Sequence, residues 1–98
     1  MPDRRSDEVH LIQKIKNGEA EAFGVLYEQY AEMVFRFVYA HLESRFEAED
    51  LSEDVFLKVW KALPDYDERG VPFTAFLFKI ARNAVIDHYR KRKSVQSL

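Results

Sequence analysis

The chain is predicted to be all-α, a compact bundle of about four helices in one domain. Three observations carry that expectation. Apolar residues recur at three- and four-residue spacing along most of the length, the period of a helix face. The three glycines and three prolines fall between those periodic runs, where helices start and stop. No stretch of useful length alternates apolar and polar residues as a half-buried strand would. The 98 residues, 47% hydrophobic and 33% charged, have the size and mixture of one ordinary soluble domain with its own core.

The first helix carries Val9, Leu11, Ile12 and Ile15, with Ser6 or Asp7 as its cap and Gly18 as the left-handed residue that ends it. A second helix is predicted from Glu19 to Leu42. Phe23, Leu26, Tyr27, Tyr30, Val34, Phe37, Val38 and Leu42 repeat along it, and Phe35 and Tyr39 widen the stripe. Gly24 costs this helix about 1 kcal/mol against alanine, which so strong a pattern tolerates. A helix this apolar is either central to the bundle or shared with a partner. Ser44 and Glu47 have capping-box spacing, so a third helix begins there and runs to Leu63, where Pro64 stops it. A loop follows, bracketed by Pro64 and Pro72 and holding Gly70. The fourth helix is predicted from about Phe73 to Arg92. Residues 1–93 form the domain, and Ser94–Leu98 begin a linker.

Several function classes are excluded. Without cysteine there is no disulfide framework, zinc ribbon or thiol chemistry. The charged opening and the lack of a long apolar run exclude a standard signal peptide and membrane insertion, pointing to the cytoplasm. His10, His41 and His88 are isolated from one another. The acids Glu47, Glu49, Asp50, Glu53 and Asp54 lack both the glycine turn of a calcium loop and the Glu-x-x-His pair of a di-iron bundle. No phosphate loop or nucleophile elbow is present. The expectation is a protein that is not an enzyme, with no metal and no cofactor.

The net charge of −2 conceals a separation. Glu43–Glu68 holds nine acids against three bases, whereas Arg69–Leu98 holds seven bases against Asp87 alone. Such asymmetry suits a basic surface for a polyanion and an acidic one for a protein; short charge runs are also what solvated faces look like. On a wheel of the fourth helix Phe73, Phe76, Leu77, Ile80, Ala81 and Ala84 share the core side, with Val85 at its edge. Lys79, Arg82, Asn83, Ile86 and Arg90 share the other side. Cations there suit phosphates, while an amide and an exposed apolar side chain suit bases. A basic last turn complementing the macrodipole explains Arg90–Lys93 equally well, but leaves Lys79 and Arg82 in mid-helix unexplained. Tyr66, Arg69 and Phe73 flank the flexible loop as candidate stacking groups; packing of Tyr66 and Phe73 onto the core is the alternative. On the third helix Leu51, Val55, Val59 and Ala62 mark the core side. Phe56, Leu57 and Trp60 point elsewhere, beside Asp50, Glu53 and Asp54. Packing of Phe56 and Trp60 against neighbouring helices is one alternative, and Leu57 is either part of a partner-facing patch rimmed by charge or a single leucine on a solvated acidic face.

Two stretches carry a resemblance: Asp50-Leu-Ser-Glu-Asp-Val-Phe-Leu-Lys-Val-Trp60, then Phe73-Thr-Ala-Phe-Leu-Phe-Lys-Ile-Ala-Arg-Asn83 with Asp87-His-Tyr-Arg90. Their order and spacing resemble region two of bacterial RNA polymerase sigma factors, of the extracytoplasmic-function group, from about Leu11 to Lys93. The resemblance implies that Asp50, Leu51, Glu53, Asp54, Phe56, Leu57 and Trp60 dock on the clamp helices of core RNA polymerase. It implies that the loop Asp65–Val71 holds an extruded base of the non-template strand of the minus-ten promoter element. Lys79, Arg82, Asn83, Ile86 and Arg90 would face that DNA and assist melting. An anti-sigma protein covering these surfaces is a further expected partner. The family commonly has glutamine where Glu53 stands and often tryptophan where Phe76 stands. Complete factors continue into a helix-turn-helix domain, so the expectation is an isolated region-two piece of a longer protein. The competing class is a helical protein–protein adaptor without a melting role, and a carboxylate-metal enzyme is a more distant third.

Overall fold

The computed structural model describes residues 4–96. Four helices follow one another: α1 (Arg4–Lys16), α2 (Ala20–Tyr39), α3 (Arg45–Ala62) and α4 (Phe73–Gln96), with a short 3₁₀ turn at Leu63–Asp65. Helix α2 is the centre. It packs on each of the other three helices, whereas among the described helices α1 packs on α2 alone, and it also meets the 3₁₀ turn and the loop after it. Leu26, Val34 and Val38 of α2 are completely buried and meet a core formed by Ile12, Ile15, Leu51, Val55, Val59, Leu63, Leu77 and Ala81. Each such side chain contributes roughly 1.5–3 kcal/mol by leaving water, which explains why the glycine-containing α2 stays continuous. Among the described residues no helix is long and apolar enough to cross a membrane.

The helix ends show how local sequence sets the frame. Gly18 is the one described residue with φ in the left-handed range, at +92°. Its amide donates to the Ile15 carbonyl and that of Glu19 to the Lys14 carbonyl, at 2.9 and 3.0 Å. That pair of bonds is a Schellman motif, satisfying the last carbonyls of α1 and turning the chain sharply into α2. At the start of α3 the Ser44 hydroxyl accepts from the Glu47 amide at 3.3 Å. Only this half of the expected capping box forms, because the Glu47 carboxylate turns to α4, 3.9 Å from His88 and 4.0 Å from Arg92.

Three helix boundaries differ from expectation and one agrees. Helix α1 already spans Arg4, so Ser6 and Asp7 lie in its first turn instead of capping it. Helix α2 ends at Tyr39, three residues early, in a tight turn that buries Leu42. Helix α3 ends at Ala62, just before Pro64 as expected, and Pro64 suits the first turn of the short 3₁₀ segment that follows. Helix α4 continues past Arg92 to Gln96, so Ser94, Val95 and Gln96 are helical where a linker was expected; Ser97 and Leu98 lie outside the described residues.

Two substitutions in α2 should move stability in opposite directions. A Cβ added at Gly24 meets nothing within 4 Å, so Gly24→Ala should stabilise by up to about 1 kcal/mol. Leu26→Ala empties a site with no exposure and should cost about 3 kcal/mol. Urea unfolding monitored by circular dichroism measures both.

Candidate nucleic-acid and protein-docking faces

The outer side of α4 forms the first face. Phe73, Leu77, Ala81, Ala84 and Val85 are buried on the inner side, which turns Lys79, Arg82, Asn83, Ile86 and Arg90 to solvent. Lys79, Arg82, Asn83 and Ile86 share a shallow recess with Ala75, Phe78 and Phe37. The rings of Phe37 and Phe78 meet edge to face at 5.4 Å and give the recess an aromatic wall. Among the described residues Arg90 lies 3.9 Å from Asp87 and Arg92 lies 4.0 Å from Glu47, while Lys79 and Arg82 have no acidic partner. Those two cations are therefore available to an incoming anion. Phe37 was missed in the sequence because it fits the core stripe of α2, and Phe78 was assigned to no face; each is only half-buried.

The loop before α4 is built differently from expectation. Tyr66 and Phe73 are 6% and 3% exposed, which removes both as stacking platforms for a base. Instead the Tyr66 ring packs 4.5 Å from Phe76, and its hydroxyl donates to the Val71 carbonyl. The tyrosine thus closes the loop from inside. What remains exposed is Asp67, Arg69, Gly70, Val71 and Pro72. The Arg69 amide donates to Asp67 Oδ1 at 2.9 Å and its guanidinium stands 3.3 Å from the same oxygen. These contacts, the amide first, hold the Asp67 carboxyl below its ordinary value. The Glu68 carboxyl is also lowered, by its own amide and then by the Gln13 side chain and Lys16.

Helix α3 and its neighbours form the second face. Glu47, Asp50, Leu51, Glu53, Asp54 and Leu57 line a groove whose far wall is His88 of α4. His88 Nε2 is buried there without a hydrogen-bond partner. Leu57 is 50% exposed at the groove edge, continuous with an apolar patch of Phe23, Tyr27, Phe56 and Trp60. Phe23 and Trp60 meet edge to face at 4.9 Å, as do Tyr27 and Phe56 at 4.8 Å. Leu51 and Phe56 are buried, so of the seven residues expected to dock these two support the face from beneath; Asp50, Glu53, Asp54, Leu57 and Trp60 form its surface. A further recess joins Ser52, Glu53 and Phe56 to Tyr27, Ala31 and Phe35 of α2. This contribution from α2 was absent from the sequence reading, which assigned Tyr27, Phe35 and Tyr39 to the core stripe; Tyr27 and Tyr39 are each 41% exposed. Their i, i+4 spacing through Ala31 and Phe35 is the signal that marks a second helix face.

The sigma-70 region 2 family model matches residues 26–95, which includes both faces apart from Phe23. The chain belongs to that family. Among curated relatives, the ECF RNA polymerase sigma factor BldN of Streptomyces coelicolor is 36% identical over 87% of this chain. The ECF sigma factor SigW of Bacillus subtilis is 29% identical over 84% of it. The chain spans 32% and 43% of the length of these two proteins. A solved engineered region 2 of sigmaE, in complex with GTAAAA, superposes with a TM-score of 0.86 over all of both chains at 24% identity. BldN in the RsbN–BldN complex superposes with a TM-score of 0.75 at 37% identity, covering 89% of this chain and 64% of that one. The architecture is that of sigma region 2, and the recess on α4 and the groove on α3 are features of this member.

The lowered Asp67 and Glu68 carboxyls fix the acid response of the sigma-domain loop. A carboxyl depressed in the folded state contributes stability above its unfolded pKa and loses it as pH falls through the folded one. The loop contacts should therefore be constant through neutral pH and dissolve only below the ordinary carboxylate range. Amide chemical shifts of Arg69 and Val71 across an acid titration check this.

Proposed function

We propose that this chain is the part of a transcription initiation factor that docks on core RNA polymerase and holds the minus-ten element open as single strands. The observation that carries the reading is the pair of opposed faces on a sigma region 2 fold: unpartnered cations beside an aromatic recess on α4, and an apolar patch rimmed by carboxylates on α3. The non-template strand runs along Lys79, Arg82, Asn83, Ile86 and Arg90, with the loop Asp65–Val71 receiving an extruded base. Phosphates displace counterions at the cations, while Asn83 and Ile86 present an amide and a methyl-rich surface to base edges. Melting on this surface is binding, not catalysis, since capture of unstacked bases offsets the few kcal/mol that unstacking costs. The α3 groove takes a basic or mixed helical surface of the polymerase clamp, with Leu57 and Trp60 as its apolar anchors. The setting is the bacterial cytoplasm.

The sigmaE domain solved with GTAAAA supports the DNA part. The RsbN–BldN complex supports a second reading, in which a regulatory protein occupies these faces and the domain serves as an adaptor.

Fluorescence anisotropy against single-stranded oligonucleotides separates the two. The initiation reading expects a promoter-type sequence to bind more tightly than a scrambled one, and the adaptor reading expects no difference. Lys79→Ala should weaken both sequences alike and reduce the salt slope by about 0.7. Asn83→Ala should erode the preference between sequences with little change in that slope.

Docking is tested with a purified clamp-helix fragment. Leu57→Ala and Asp54→Arg should each weaken its binding by at least about tenfold with the fold intact, since an exposed apolar anchor and a charge reversal are both involved. Full binding by both variants would place the docking surface elsewhere.

A further inference from the structure

Helix α1 belongs to neither face, yet its last turn grips the loop that precedes α4. Lys16 Nζ donates to the Tyr66 carbonyl, stands 3.5 Å from the Glu68 carboxylate and lies 5.8 Å from the centre of the Tyr66 ring. Gln13 Nε2 donates to the other Glu68 oxygen at 2.6 Å. Ile12 and Ile15 are 1% and 5% exposed and seat α1 in the core on the adjoining face, which fixes where Gln13 and Lys16 project. The Schellman turn at Gly18 stops the helix one residue later, so Lys16 sits at a defined end. The two sides of this contact are fifty or more residues apart in sequence.

From these contacts we propose that Lys16 and Gln13 are positioning residues for base recognition: they hold Tyr66 and Glu68 so that the exposed turn Asp67–Val71 keeps one shape, without touching DNA themselves. The inference rests on the reading of that loop as the seat of an extruded base. Three features set Lys16 apart from Lys79 and Arg82 of α4. Its ammonium is spent on a carbonyl and a carboxylate inside the protein, whereas Lys79 and Arg82 have no acidic partner. Its side chain is 23% exposed and that of Glu68 is 17%, so the pair is shielded enough to be geometrically firm. Its partner Tyr66 bonds onward to Val71, so displacing the Tyr66 backbone displaces the far end of the turn. The lowered Glu68 carboxyl agrees with a charged, engaged group at neutral pH.

Release of the clamp leaves every α4 cation in place but lets the turn sample several shapes. Affinity then falls mainly for the preferred base, because a pre-shaped pocket discriminates and a loose one does not. A phosphate contact would behave otherwise, since its loss lowers affinity for all sequences and reduces the salt slope.

The experiment measures binding of this chain to a set of single-stranded promoter oligonucleotides carrying each of the four bases at each position, at three salt concentrations. Lys16→Ala is compared with Lys16→Arg, and Glu68→Gln breaks the same contact from the loop side. The expected result is a loss of about tenfold in the preference for one base at one position for Lys16→Ala, the scale of one charge-assisted hydrogen bond. Glu68→Gln should share that loss, Lys16→Arg should retain most of the preference, and the salt slope should not change. Amide shifts of Arg69 and Val71 in the free protein should move in the same two variants, with the unfolding transition still cooperative. Undiminished base preference in folded Lys16→Ala, or a salt slope reduced by about 0.7, overturns the inference and leaves the proposed function standing. A wild-type protein with no base preference at any position overturns both.

Discussion

A twenty-residue helix with Leu26, Val34 and Val38 wholly removed from water has no stable existence outside its bundle. Burial of α2 therefore governs the rest of the structure. Because α2 touches α1, α3 and α4 at once, each of those helices has its inward face chosen for it, and the opposite faces become surface. The cations of α4 point outward because Leu77, Ala81 and Ala84 must point inward. The carboxylates of α3 do so because Val55 and Val59 are committed to the core. Function here is the remainder left by packing.

The two faces are oppositely charged yet share α4. Its recess side carries Asn83 and Ile86, and His88, two residues past Ile86, walls the acidic groove. Glu47 holds that junction. By turning away from its own helix cap towards His88 and Arg92, it exchanges a second capping bond for a tie between α3 and α4. The tie is partly exposed, so its energetic weight is small.

Most of the fold was legible in the sequence because helices announce themselves locally. The three- and four-residue spacing gave the inner side of α4 correctly, Gly18 marked a true left-handed stop, and Ser44 is a real cap. The surface of the candidate site was legible to the same extent: Lys79, Arg82, Asn83, Ile86 and Leu57 are exposed as expected. The failures share one cause. Whether Tyr66 faces a base or the core depends on Phe76 and Val71 closing around it, and whether Tyr27 is core or surface depends on where α3 lies. Neither is a property of a spacing. Lys16 was invisible for the same reason, as its partners come from the other end of the chain. Tertiary contact between distant segments leaves no periodic trace.

Glu53 shows how far such local signals can be carried into energetics. It is exposed and stands with Asp50 and Asp54 along the groove, and it also borders both apolar recesses that adjoin Leu57 and Phe56. A carboxylate at that junction adds a third like charge to one rim, a cost to the free domain that a basic partner removes on binding. An amide there would offer hydrogen bonds but no such relief. In the proposed docking, such a rim biases the face towards a partner rich in lysine or arginine, with contact strength that falls as salt rises. The exposed apolar side chains Leu57 and Trp60 would supply, in that proposed contact, the part that salt does not weaken. Placing both kinds of group on one helix lets charge steer the encounter while buried apolar surface sets how long it lasts.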